Sequence, residues 1–268
     1  MDTYLETAAK AGIVVTGLSK SYVGKDSETD RGLVFENLNL TVRSGEICTI
    51  FGPNGCGKTT LLNMLAGVAE PDAGTIWVDG LQPRPGLASY VFQNFKDSLF
   101  PWLTVEGNLL FPLECQVTDV NERRDRLKEF VREFGFSLPL QSKVYELSIG
   151  QQQMVTLARA LITRPSILLM DEPFSALDFR SRRSMQTELL IYRKKHGATI
   201  LFVSHEIDEA IFLGQRLFLF PPRPVKAVRE ILIDLAFPRL PEVVYTKDFF
   251  NIRSEVLRFF EDDANLAT

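Results

Sequence analysis

Apolar positions along the chain follow two patterns, and the switch between them marks its organisation. Ile13 to Val15 reads as a strand. Val34, Leu38, Leu40 and Val42 alternate with Asn37, Asn39 and Thr41 at the period of a half-buried strand. The polar run Gly24 to Gly32 predicts a hairpin loop between them, so the chain opens in antiparallel β-structure, preceded by a flexible tail at Met1 to Gly12. Further on, Ile47 to Phe51, Ile167 to Met170 and Ile200 to Val203 are continuous apolar runs, as in parallel strands covered on both faces. Thr75 to Val78 and Ala88 to Phe92 add shorter strands. Helical stretches lie between: one running to Leu65, one over Gln151 to Thr163 stopped by Pro165, and one over Ser184 to Lys195 stopped by Gly197. Strands alternating with helices predict an α/β core.

Between Asp97 and Gln153 the strand pattern is absent. Leu127, Phe130, Val131 and Phe134 recur at helical spacing, with Arg123, Arg124, Asp125, Lys128 and Glu129 elsewhere on the wheel. This predicts an amphipathic helix over Asn121 to Phe134, its apolar stripe turned into an all-α insert; a membrane-surface helix would be more basic and carry Trp.

Composition narrows the function. The 268 residues carry 30 Lys plus Arg against 34 Asp plus Glu, a net charge of −4, which argues against a nucleic-acid binder. Cys48, Cys56 and Cys115 are scattered without a CxxC pair, which fits a reducing compartment. Two histidines argue against a His-rich metal site. No apolar stretch reaches the ~18 residues of a membrane span, and no secretory signal is expected.

The chemistry concentrates in three places. Gly52-Pro53-Asn54-Gly55-Cys56-Gly57-Lys58-Thr59 matches the P-loop, GxxxxGK[ST], between an apolar strand and a helix. Its backbone N–H groups and the following helix N-terminus would cradle phosphate, with Lys58 near the β/γ-phosphates, Thr59 on Mg²⁺ and Thr60 beside them. Cys56 reads as a small space-filler or as a thiol activated by that helix N-terminus. Asp171 and Glu172 end a buried strand, where α/β proteins place ligands. Asp171 would hold Mg²⁺ through water and Glu172 would deprotonate an attacking water; the other reading is a solvated strand end. Ser148 and Gln151 fit an S-x-x-Q capping box, which also makes an anion site.

Leu147-Ser148-Ile149-Gly150-Gln151 resembles the LSGGQ signature of the ATP-binding cassette (ABC) ATPase subunits of membrane transporters. The motif order over residues 13 to 220 is also similar to that family's. The resemblance implies a P-loop NTPase core, a parallel sheet flanked by helices, with an N-terminal antiparallel β subdomain and an all-α helical insert. The cassette would span 13–225, with its nucleotide-binding core at 13–95 and 156–225, its helical subdomain at 96–155, and a C-terminal extension at 226–268. The implied cofactors are ATP and Mg²⁺. By the same resemblance, Tyr22 would stack on adenine, although a core strand aromatic is its other reading. Gln93 would sense Mg²⁺ and the attacking water, and His205 would touch the γ-phosphate. Asp178 would lie in the loop linking two nucleotide sites, or serve as a turn or N-cap acid. Ser148, Gly150 and Gln151 would serve the nucleotide of a head-to-tail partner, a second copy or a homologous cassette. Transmembrane permease subunits, and indirectly an extracytoplasmic solute-binding protein, complete the implied assembly, peripheral to the cytoplasmic face of the inner membrane, with no nucleic acid.

Phe100-Pro101-Trp102-Leu103-Thr104-Val105 with Asn108 resembles the bacterial nitrate, sulfonate, taurine and bicarbonate importers, as does Pro222-Arg223-Pro224 with Ile231, Asp234, Leu235, Pro238 and Arg239. Val225 departs from that subgroup's Gly. Phe95, Leu99, Phe100, Pro101 and Trp102 would form a docking surface for the membrane subunit, unless Phe100 and Trp102 fill the insert's own core. Ile149 replaces the signature's central Gly and Met154 a common Arg; the β-branched Ile149 predicts weaker activation of the partner's site. A soluble non-transport ABC ATPase is the alternative, but it would carry a coiled-coil insert or two cassettes. A small kinase or GTPase leaves LSIGQ unexplained and would need an NKxD. A regulatory module without turnover is opposed by Lys58, Asp171, Glu172 and His205.

Overall fold

The computed structural model describes residues 11–23, 31–134, 138–237 and 239–266. Strands β1 (Ala11–Val23), β2 (Arg31–Arg43) and β4 (Ala73–Val78) form an antiparallel sheet in the order β2-β1-β4. Strand β1 begins at Ala11, inside the expected tail, and is far longer than Ile13 to Val15. Its apolar positions Ile13, Val15 and Leu18 change parity because register shifts interrupt the ladder between Val15 and Leu18. A bulge of that kind hides a strand from a strict period-two reading. The Gly24 to Gly32 loop lies almost wholly outside the described residues.

A second sheet runs β5-β6-β7-β3-β8-β9, from β3 (Ile47–Phe51), β5 (Ser89–Val91), β6 (Ile167–Asp171), β7 (Thr199–Val203), β8 (Arg216–Leu219) and β9 (Arg229–Leu232). All neighbours are parallel except β9, which pairs antiparallel with β8. Both faces are covered. Leu168, Met170, Ile200 and Phe202 point into one apolar cluster, and Ile167, Leu169, Leu201 and Val203 into the other, shared with the antiparallel sheet. That double burial explains the unbroken apolar runs.

Helix α1 (Lys58–Leu65) follows β3, and α2 (Phe95–Ser98), α3 (Val105–Glu114), α4 (Val120–Glu133) and α5 (Ile149–Leu161) make the helical region. On α4, Leu127 and Phe130 are buried, as is Phe134 just beyond it, so the predicted stripe faces inward. Helix α6 (Phe179–His196) starts five residues before the expected Ser184, because Asp178 caps it. Helix α7 (Ile207–Leu213) leads into β8. Helix α8 (Lys247–Leu266) returns to the core, where Phe260 meets Phe51 edge-on at 5.5 Å. Strands β3, β6 and β7 end on one edge of the parallel sheet, and the loops leaving that edge carry the charged residues of the site.

Candidate functional site

The loop after β3 is shaped by two contacts. A Cβ on Gly52 would stand 2.6 Å from the Phe220 carbonyl, and one on Gly57 would stand 2.5 Å from Val34 Cγ1. Gly57 also has φ 116°, outside the range of ordinary L-residues. The loop therefore closes tightly and turns its backbone toward the cleft. Lys58, buried at the start of α1, curls back and donates from Nζ to the carbonyls of Gly52 (2.8 Å) and Pro53 (3.0 Å). Thr59 donates from Oγ1 to Asp171 Oδ2 at 2.7 Å. Asp171 is buried at the end of β6, and that burial, reinforced by Glu172, pushes its carboxyl above the usual range against the pull of Thr59 and Lys58.

Glu172 is the next residue but faces elsewhere. Its φ of 50° lies in the left-handed region, and its N–H still bonds Val203 O at 3.1 Å. The turn brings Oε2 to 3.1 Å from Gln93 Nε2 and 3.1 Å from His205 Nδ1. Tyr22, Asn54, Gly55, Gly57, Lys58, Thr59, Thr60, Gln93, Glu172 and His205 line one cleft of about 590 Å³, together with Arg223. Residues up to 201 positions apart in the chain thus converge, all from loops or element ends.

The residues 35–175 match the family model described as ABC transporter. The chain is 39% identical over 243 residues to the aliphatic sulfonates import ATP-binding protein SsuB of Bacillus subtilis, covering 89% of this chain and 91% of that one. It is 35% identical over 265 residues to the bicarbonate transport ATP-binding protein CmpD of Synechococcus elongatus, covering 94% and 92%. The chain belongs to the ABC transporter family. Among solved structures, the dimeric post-hydrolysis state of an ATP-binding cassette bound to ADP and Pi superposes with TM-score 0.71 at 28% identity, over 84% of this chain and all of that one. The fold is the ABC cassette, and the chain is an ABC transporter ATPase.

Tyr22 is 47% exposed at the edge of this cleft, with Lys20 Nζ 5.4 Å from its ring, so it is not a core aromatic. The signature residues Ser148, Gly150 and Gln151 are not in the cassette's own cleft. They open α5, where Gln151 N–H bonds Ser148 Oγ (3.3 Å) and Ser148 N–H bonds Gln151 Oε1 (2.9 Å), a closed capping box. Ile149 is 51% exposed beside it. Asp178 is the N-cap of α6, accepting from the Arg180 and Ser181 N–H groups; the Ser181 hydroxyl and these donors hold its carboxyl below the usual range.

Burial favours the space-filler reading of Cys56 in the P-loop and pushes its thiol up, against the charge of Lys58. One expectation is corrected. Phe95 and Leu99 are buried rather than on a docking surface. Trp102, by contrast, is 67% exposed, and half-buried Phe100 packs on Phe111 with ring centroids 4.6 Å apart. Phe92 and Val68 are exposed at an apolar hollow of about 460 Å³ that Gln93 also lines.

Arg223 was missed as a site residue, though its Pro-Arg-Pro segment stood out. The loop carrying it is tied to the antiparallel sheet by Val225 N–H to Val34 O (2.9 Å) and Glu36 N–H to Val225 O (3.1 Å). Its guanidinium stands 3.3 Å from where a Gly55 Cβ would be. Among the described residues, no helix is long and apolar enough to cross a membrane, and no cluster of three or more His, Cys, Asp or Glu could hold a metal.

Proposed function

We propose that this cassette powers an importer of a small anion such as nitrate, a sulfonate, taurine or bicarbonate, working as a head-to-tail dimer on transmembrane permease subunits at the cytoplasmic face of the inner membrane. The observation that carries the catalytic reading is the position of the Glu172 carboxylate. It contacts both Gln93 and His205, in the cleft that Lys58 and Thr59 also line.

On nucleotide entry, Lys58 exchanges the Gly52 and Pro53 carbonyls for phosphate oxygens, so the bare loop keeps the ammonium satisfied and in place. Adenine lies on Tyr22. The Thr59 hydroxyl and Asp171 suit Mg²⁺, which is held by few protein ligands and otherwise by phosphate and water; it would screen charge on the transferring phosphate. Glu172 takes a proton from water, which Gln93 orients, while His205 holds Glu172 from the other side and meets the γ-phosphate. Catalysis is positioning and charge stabilisation, with about 10²–10⁴-fold from the general base.

Ser148, Gly150 and Gln151, absent from their own cleft, are free to close the partner's. The exposed Trp102 loop and the Phe92–Val68 hollow beside Gln93 give the permease an apolar seat next to a catalytic residue. The sulfonate and bicarbonate roles in the relatives' names support the anion class.

Glu172→Gln tests the core of this reading. The variant is expected to bind ATP, accumulate as an ATP-bound dimer on size exclusion, and hydrolyse at least ~10²-fold more slowly. Brisk hydrolysis would remove Glu172 from the role.

A further inference from the structure

Glu209 is a buried carboxylate, on the first turn of α7, that the proposed chemistry does not use. Placing a charge there is costly unless its oxygens are satisfied, and both are. Ser204 Oγ donates to Oε2 at 2.5 Å, and Gln186 Nε2 donates to Oε1 at 2.9 Å. Ser204 and Gln186 are themselves buried. Ser204 also accepts the Glu206 N–H at 3.0 Å, and Arg182 grips the Glu206 carboxylate with one guanidinium nitrogen on both oxygens.

The residues on either side of His205 are therefore each fastened to α6, one through Glu209 and Gln186, the other through Arg182. An apolar side chain at position 209 could pack there at less cost, but it could not hold two elements in register by direction. His205 has no comparable anchor of its own: its imidazole is half-exposed, and its ion-pair contact is with Glu172.

We infer that Glu209 is a positioning residue. Bonded to Ser204 and to Gln186, it sets the His205 main chain against α6 and so keeps the imidazole on the Glu172 carboxylate. The inference rests on His205 acting at the γ-phosphate. It also makes α6, which Asp178 caps, the element through which an event at that cap reaches His205.

The test uses the full chain, with ATP turnover and the imidazole NMR spectrum as readouts. The chain has only two histidines, and His196 is paired with Glu133 elsewhere, so it serves as an internal reference. Gln186→Leu is expected to lower kcat at least fivefold, leave KM for ATP within twofold, and shift the His205 resonances while His196 stays put. Glu209→Gln, which can accept from Gln186 and donate to Ser204, should lose less than threefold; Glu209→Leu should lose at least tenfold. If Glu209→Leu does not fold, Gln186→Leu carries the test alone. A kcat loss with unmoved His205 resonances, a change in KM alone, or turnover within twofold in Gln186→Leu would overturn the proposal. His205→Ala separates the two failures: if it keeps turnover, the role of His205 itself is wrong. If it abolishes turnover while Gln186→Leu is silent, only the positioning role is wrong.

Discussion

The cleft's charges stand where two backbone conformations put them. Gly57 turns at φ 116° against Val34 and Phe35, so β2 serves as the backing plate of the P-loop. Glu172 accepts a left-handed φ of 50°, a strain of about 1–2 kcal/mol for an L-residue, and thereby separates its carboxylate from Asp171 one position earlier. Arg223 completes the mouth. Among the described residues it pairs with no carboxylate, and it stands at the P-loop on the same cleft as Tyr22. A guanidinium so placed would reach the nucleotide's phosphates. Arg223→Ala is expected to raise the Kd for ATP about fivefold, a charge-assisted contact discounted for solvent exposure, with saturated kcat within twofold. Calorimetric titration at low and high salt checks it, since screening should shrink the difference; equal affinities at low salt would rule the contact out. The P-loop, Asp171 and Glu172 stood out because each sits in a local strand–loop context, and His205 because the family resemblance pointed to it. Arg223 was not, because its meaning depends on a loop fastened to Val34 and Glu36 far away in the chain.

Among elements, legibility followed the same rule. The continuous strands and the α4 stripe were readable, since burial on both faces or on one stripe writes a period into the sequence. Strand β1 was cut short by its bulges. The starts of α5 and α6 were placed late, because Ile149, Gly150 and Phe179 carry no periodic signal and only the caps Ser148 and Asp178 mark the boundary. Helix α8 and strand β9 went unread within the extension, though Ile231, Phe249 and Val256 join the main core. The loop before α3 shows how one buried polar residue builds a surface. Asn108 is fully buried; its Oδ1 accepts the Phe100 N–H (2.9 Å) and its Nδ2 donates to Phe100 O (3.1 Å) and Thr104 O (3.0 Å). That clamp holds Trp102 out in solvent, helped by Lys143 Nζ on Trp102 O at 2.8 Å. Asn108→Ala strands buried backbone groups and should cost about 2–3 kcal/mol in urea unfolding. It should also reduce co-purification of the permease subunit while ATP binding by the cassette persists. Undiminished co-purification would show that the loop is not the seat.

For the whole molecule, the proposed ATP site is incomplete within one chain. The cleft gathers Tyr22, Lys58, Thr59, Gln93, Glu172 and His205, yet the capped N-terminus of α5, with Ser148, Gly150 and Gln151, stands outside it. A head-to-tail dimer with two-fold symmetry would bring each signature to the other chain's cleft. The solved cassette that superposes on this chain was captured as a dimer. The shared site makes a prediction that a self-contained site cannot. Take Lys58→Ala in one chain and Ser148→Arg in the other, both carrying Glu172→Gln so that ATP is retained rather than hydrolysed. Each variant alone has two broken sites. In the mixed dimer, the intact P-loop of the Ser148→Arg chain meets the intact signature of the Lys58→Ala chain, while both defects fall together in the other site. One occluded ATP per mixed dimer is expected, counted by filter-retained radiolabel after separating the differently tagged species, against none in either parent. If every site used its own signature, the mixed dimer would hold none; if the Ser148→Arg parent itself retained ATP, Ser148 would be a helix cap with no part in nucleotide binding. Counting occluded ATP rather than turnover matters here, because a dimer whose two sites must fire together would be inactive yet still retain one nucleotide.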